Sequence, residues 1–238
     1  MPQATPDPHR AAPMKTAGKL GVAVLVFLTI MSGAVLFQRW QARAVMVLPG
    51  VETSTRCSIW FIGSSTIHKW RTLRADMRPW DAHNRGIDGA RIPDLTNALG
   101  HEPPAHRPAA IVLYAGENDI ARGSSSEKTI AALKDFLAVR TPALRSVPIL
   151  LIGMKPSPGR WANRPEQLAF NRMARDIVAS TPGMAFVDPA PMLLVSQRPG
   201  PFYVADGIHL NAAGYARLAA VIRPALQPLH VPPCPTMD

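Results

Sequence analysis

Cysteine is nearly missing from this sequence: Cys57 and Cys234 are the two examples among 238 residues. Neither has a second thiol or a histidine at metal-ligating spacing, which argues against a zinc site. Aromatic residues are sparse at 6%, and the lysines and arginines behind a formal net charge of +10 form no block interleaved with them. A nucleic-acid groove is therefore not indicated. The chain lacks a glycine-rich dinucleotide fingerprint and a phosphate loop, so no cofactor is implied, and no serine stands in a Gly-x-Ser-x-Gly elbow. His101, Glu102 and His106 are only superficially like a metalloprotease motif, because Pro103 and Pro104 forbid the helix such a motif needs. Internal repeats and low-complexity blocks are absent.

What is present suits one globular domain with an added N-terminal segment. Residues 20–37, LGVAVLVFLTIMSGAVLF, hold no charge over 18 positions. That is the lower end of what a membrane-spanning helix needs and longer than a usual signal-peptide core. We read it as a transmembrane signal anchor between a disordered leader (1–19) and a linker (38–56) in which Pro49-Gly50 stops any helix. Arg10, Lys15 and Lys19 precede the run while Arg39 and Arg43 follow it, a slight bias toward an N-in orientation. The expectation is a single-pass membrane protein with an extracytoplasmic (periplasmic) domain. Cleavage near Ala42-Arg43-Ala44, giving a secreted domain, is the alternative. From Ala44 onward 21 basic residues face 15 acidic ones, a diffuse excess of +6 compatible with anionic neighbours such as lipid headgroups or cell-wall polymers.

Beyond residue 57, short apolar runs alternate with stretches of helical spacing. Strands are expected at 59–62, 82–87, 109–114 (AAIVLY), 148–154 (PILLIGM) and 185–187. Helices are expected at 67–77, near 93–99, after a capping box of Ser124 and Glu127, at about 165–179 and at about 212–226. This alternation implies a parallel sheet covered on both faces: a three-layer α/β/α sandwich with five strands over 57–230, followed by a tail at 231–238. In such a sheet the first strand begins and the last helix ends at one edge. Cys57 and Cys234 are then either a disulfide, in an oxidising compartment, or two free thiols.

Ligands in such sheets bind beyond the carboxyl ends of the strands. There the chain carries Gly63-Ser64-Ser65, Gly86-Ile87-Asp88-Gly89, Gly116-Glu117-Asn118-Asp119 and, before the last helix, Asp206-Gly207-Ile208-His209. Each alone is an ordinary turn, but their joint occurrence on one edge is hard to ascribe to accident. With FIGSST, NRGIDG, AGEND and DGIHLN in these places, residues 57–226 resemble the SGNH/GDSL hydrolase family. GMKPSPGRW and DGIHLNAAGY look closest to its bacterial Gly-Ser-Ser branch. The resemblance implies a flavodoxin-like fold, a Ser65 nucleophile, a His209 base, and a Gly89 and an Asn118 that complete an oxyanion hole. Ser64 stands where the name-giving motif has Asp, which bears on subfamily and substrate more than on the nucleophile.

The residues suit that chemistry on their own terms. A serine hydroxyl needs an adjacent base. His209 can take the Ser65 proton and return it to the leaving alcohol, and Asp206 can hold the other ring nitrogen. The N–H groups of Ser65 and Gly89 and the Asn118 amide would supply three donors to an oxyanion. Glycine lets backbone approach closely, and asparagine donates without titrating. Ser64 and Asp119 are expected to bond nearby backbone, and Glu117 to face solvent. Lys155, Arg160 and Trp161 either border the acyl or leaving-group pocket or pack their loop. The reading is a serine esterase acting through an acyl-enzyme on a small ester, lipid or acylated glycan. Short inter-strand segments favour small acyl groups, acetyl above all. Its alternatives are a membrane-tethered binding module without turnover and an O-acyltransferase acting on cell-surface glycans.

Overall fold

The computed structural model describes residues 46–50 and 55–235, together with Val26, Thr29 and Met31. The expected leader, cleavage site and anchor lie outside the described residues, apart from those three positions, which are helical. Among the described residues no helix is long and apolar enough to cross a membrane. The chain divides into Met1–Ala44 and Val45–Asp238, and the second unit carries the sheet.

Five strands, β1 (Ser58–Gly63), β2 (Asp81–Gly86), β3 (Ala110–Tyr114), β4 (Ile149–Ile152) and β5 (Met184–Val187), form a sheet in the order β2-β1-β3-β4-β5. Every neighbouring pair is parallel. The two-residue period of a strand sends Trp60, Ile62, Ile111, Leu113, Ile149 and Leu151 into one core and Ile59, Phe61, Val112, Leu150 and Ile152 into the other. Both faces are therefore apolar, and helices must cover both. The helices are α1 (Ser65–His68), α2 (Leu73–Asp76), α3 (Ile92–Gly100), α4 (Glu117–Ala121), α5 (Ser126–Ala138), α6 (Pro142–Arg145), α7 (Arg164–Ala179), α8 (Ala190–Leu193) and α9 (Ala212–Ala225). Leu95 of α3, Phe136 of α5 and Phe170 of α7 fill the first core. Ile67, Leu73 and, from α9, Leu218 and Ile222 fill the second. The strand order reverses between β1 and β3, the point at which a crevice opens at the carboxyl edge of an open sheet.

The helix expected at 67–77 is two short helices. Asn84 of β2 donates its side-chain amide to Ile67 O at 2.6 Å, which satisfies a terminal carbonyl of α1 from a neighbouring strand. Trp70 then turns inward, and its indole N–H donates to Asp76 Oδ2 at 2.6 Å. The cap of α5 is Ser125, which accepts from Lys128 N at 3.3 Å, and not Ser124. Ser124 is drawn back by its own N–H, which donates to Asp119 O at 3.0 Å. The loop after β3 contains the unforeseen helix α4.

Part of the expected linker belongs to the domain. Leu48 is buried, and Arg85 donates to Pro49 O at 3.2 Å and to Leu48 O at 3.3 Å. That guanidinium also makes a two-pronged pair with buried Glu102, at 2.7 and 3.1 Å, and lies 4.3 Å from the centre of the Trp60 ring. The far end of the chain is tied down as well: Trp80 Nε1 donates to Val231 O at 3.1 Å, and Cys234 forms a disulfide with Cys57. The bridge closes a separation of 177 residues. In the chain-entropy model such a loop removes about 5 kcal/mol of denatured-state freedom. Reduction of the folded protein, or the double change Cys57→Ser and Cys234→Ser, should lower unfolding free energy by up to about 5 kcal/mol. Urea titrations with and without reductant measure this, and unchanged midpoints would show that the bridge contributes nothing.

Candidate active site

The carboxyl edge of the sheet brings four loops together. Gly63 is in register with Gly86 of β2 and with Tyr114 of β3, so the chain leaving β1 lies between the loops that follow both neighbours. Gly63 has no room for a side chain, because a Cβ there would strike Tyr114 O and Ile67. The chain turns at once, Ser64 N donating to Tyr114 O at 3.3 Å, and Ser65 opens α1. Ser64 takes the N-cap position, but its hydroxyl makes no capping bond. The local side-chain bond expected of it is not formed.

A second tether brings the last loop to the first. Asn211 caps α9, accepting from Gly214 N at 2.9 Å, and Tyr215 donates its hydroxyl to Thr66 O at 2.9 Å while stacking on Trp70 at 5.3 Å between centroids. Ahead of the cap, Val204 N donates to His209 O at 2.9 Å and closes a tight loop around Asp206. These ties bring His209 Nε2 to 2.9 Å from Ser65 Oγ. On its other side His209 Nδ1 is 2.6 Å from Asp206 Oδ2, and Asp206 Oδ1 accepts from the N–H groups of Ile208 and His209 at 2.8 and 2.9 Å. Burial works to raise the pKa of Asp206, but these donors outweigh it and hold the carboxyl well below the usual range. An ionised carboxylate only accepts, so the ring proton sits on Nδ1 and Nε2 is left to accept from the serine hydroxyl.

Asn118 comes from α4, after β3. Its amide N donates to Ala90 O at 2.9 Å, and its Oδ1 accepts from Arg160 at 2.8 Å. Gly89 has φ of +69°, in the left-handed region that suits glycine, and its carbonyl accepts from Arg122 at 3.2 Å. The backbone N–H groups of Ser65 and Gly89 have no hydrogen-bond partner among the described residues. Asp119, as expected, bonds nearby backbone: its carboxylate accepts from Ile92 N at 3.1 and 3.3 Å. Among the described residues no group of His, Cys, Asp and Glu could hold a metal.

The model of the GDSL-like Lipase/Acylhydrolase family matches residues 60–217. This chain belongs to that family. It is accordingly a serine hydrolase of ester bonds. No curated protein matches the chain. Solved structures share its fold. A GDSL-like lipase from Bacteroides thetaiotaomicron is 18% identical with a TM-score of 0.61, over 81% of this chain and 97% of that one. A carbohydrate esterase family 3 protein from Talaromyces cellulolyticus is 17% identical with a TM-score of 0.57, over 72% and 97%. A variant of an acetyl esterase with acetate ion is 16% identical with a TM-score of 0.58, again over 72% and 97%.

Glu117 corrects the expectation that it faces solvent. It is 2% exposed, accepts from Tyr114 Oη at 2.5 Å and pairs with Lys155 Nζ at 2.7 Å. Lys155 is itself only 1% exposed. The reason is register: Leu113 of β3 pairs with Leu151 of β4, and Glu117 and Lys155 each follow four positions later, so opposite charges meet beyond the edge. A charged residue at matching distance past two adjacent buried strands is the signal that would have found the pair. Trp161 lines a surface cavity of about 570 Å³ with Arg164, Leu168 and Arg172. Burial pushes the Glu117 carboxyl up, but the charges of Lys155 and Arg160 and the hydrogen bonds from Lys155 and Tyr114 bring it below the ordinary value; burial also lowers Lys155. A carboxyl whose folded pKa is depressed gives its full stabilisation above the unfolded value and loses it as pH falls through the folded one. Glu117→Gln should therefore cost about 3 kcal/mol near neutral pH, and the gap to wild type should close as pH drops below the ordinary glutamate range. Urea midpoints of both proteins from pH 7 to pH 3 measure it, and a gap independent of pH would contradict the ion pair.

Proposed function

We propose that this family member hydrolyses carboxylic esters through an acyl-enzyme formed on Ser65. The observation that carries the reading is the continuous hydrogen-bond chain from Ser65 through His209 to Asp206. His209 Nε2 accepts the hydroxyl proton as Ser65 Oγ attacks the ester carbonyl carbon, and the imidazolium then gives that proton to the departing alcohol. Asp206 keeps the ring in the reactive tautomer and stabilises its charged form. Water repeats the sequence on the acyl-enzyme, releasing the acid and restoring Ser65. The tetrahedral oxyanion forms against the N–H groups of Ser65 and Gly89 and the amide of Asn118.

The substrate is a short-chain ester, acetyl above all, on a small molecule, a lipid or a glycan. Short segments between strands support this, as do the names of two structural neighbours, one a carbohydrate esterase and one an acetyl esterase with acetate ion. A binding module without turnover would be free to lose one of the five groups, and Ser65, Gly89, Asn118, Asp206 and His209 are all present. We also place the domain outside the cytoplasm, held by the apolar run at 20–37. A disulfide spanning the domain is in keeping with an oxidising compartment.

A fluorophosphonate should label the wild-type chain and leave Ser65→Ala unlabelled; labelling that survives the substitution would relocate the nucleophile. Asn118→Ala should fold normally and turn over acetyl esters roughly a hundredfold more slowly, the usual cost of one oxyanion donor. Rapid hydrolysis of long-chain esters with none of acetyl esters would refute the assignment of acyl size.

A further inference from the structure

Asn118 is held by two contacts of opposite polarity. Its amide N–H donates to Ala90 O, which only accepts, and its Oδ1 accepts from Arg160, which only donates. The two together fix which end of the amide is which, and they leave one amide hydrogen uncommitted. A flipped amide would set an oxygen against Ala90 O and an NH2 against a guanidinium, two repulsive contacts. Arg160 is therefore a determinant of where the second Asn118 hydrogen points.

Arg160 is in turn held from behind. Its Nη1 is 3.5 Å from Glu117 Oε1, a buried oxygen with no hydrogen-bond partner of its own. The other oxygen of Glu117 takes Lys155 and Tyr114. One buried carboxylate thus faces two cations, Lys155 and Arg160, and the second of these lies beside the Asn118 amide. The backbone around Arg160 is docked as firmly on the other side. Gly159 N donates to Gly207 O at 2.8 Å, and a Cβ at Gly159 would lie 2.8 Å from Ile208 and 2.9 Å from Asp206 O. Tyr203 donates its hydroxyl to Pro156 O. The segment 155–160 hence touches the loop that carries Asp206 and His209 with one residue and Asn118 with the next.

We infer that Arg160 is a positioning residue for the oxyanion hole, orienting and polarising the Asn118 amide while the Glu117–Lys155 pair holds the guanidinium in place. This deepens the proposed esterase function and rests on it. A hydrogen bond donated to Oδ1 draws amide density toward oxygen and strengthens the remaining N–H as a donor. A better amide donor favours the oxyanion over the neutral ester, so the effect falls on the chemical step and not on substrate binding.

The test is a double-mutant cycle on the full chain with an uncharged acetyl ester. Arg160→Ala should lower kcat by roughly tenfold with KM nearly unchanged, and Arg160→Lys, which keeps the charge without the planar fork, should restore only part of it. In an Asn118→Ala background the Arg160→Ala loss should shrink to about twofold or less, since the amide it acts on is gone. Thermal melting confirms that each variant is folded. An equal loss in both backgrounds, or a rise in KM alone, overturns the inference and leaves Ser65 and His209 untouched. If Asn118→Ala itself does not slow turnover, the oxyanion assignment falls and the role of Arg160 falls with it. Fluorophosphonate labelling of the same variants reports separately whether the serine is still activated.

Discussion

A hydrogen bond 2.9 Å long joins Ser65 to His209 across 144 residues of chain, and everything else in the domain can be seen as the means of keeping it. Bringing two loops that far apart in sequence into contact costs conformational entropy that no single hydrogen bond repays. The parallel sheet meets that cost in bulk. Two apolar faces, buried beneath helices on both sides, fix the directions of five strands, and all five then deliver their carboxyl ends to one edge. Once the sheet exists, the serine, the asparagine and the glycine have nowhere else to be. The histidine is the exception, since it follows no strand of the main sheet directly. Its placement depends on α9, whose Tyr215 reaches the backbone of α1 beside the serine.

Much of this could be seen in the sequence because it rests on local rules. Unbroken apolar runs of four to six residues mark strands buried on both faces, and glycine with polar residues at their ends marks the turns. The strands other than β2, whose residues DAHNRG are mostly polar, and the principal helices are where those patterns put them. Asp206 and His209 are three residues apart, so their contact was visible as well. What stayed hidden depends on partners distant in sequence. The break between α1 and α2 is imposed by Asn84, which arrives from the next strand. The cap at Ser125 is chosen over Ser124 by a bond to Asp119 in the preceding helix, α4. Leu48 joins the core because Arg85 reaches out to the carbonyls beside it, although its surroundings read as a linker.

Glu117 shows most plainly how a local reading goes astray. A glutamate after a glycine looks solvent-exposed, and by composition alone it should be. Burying it requires a cation already buried nearby, and that cation is supplied by a different loop. Such a pair adds little stability compared with well-packed apolar residues, yet removing one member leaves the other uncompensated. Here it orders two loops, those after β3 and β4, at the place where the site needs them ordered. Arg160 extends the same network to Asn118, so the electrostatics of the interior and the geometry of the edge are coupled.

The disulfide has an effect beyond folding. Because Cys57 and Cys234 lie outside all of the site residues, the covalent ring they close contains both Ser65 and His209. A single proteolytic cut anywhere within that ring leaves two pieces still bonded through sulfur. Neither piece can diffuse away, so the serine fragment and the histidine fragment remain at the high effective concentration of a tethered pair. Where proteases reach the chain, the ring turns a nick from a loss of half the protein into an injury that the remaining contacts can mend.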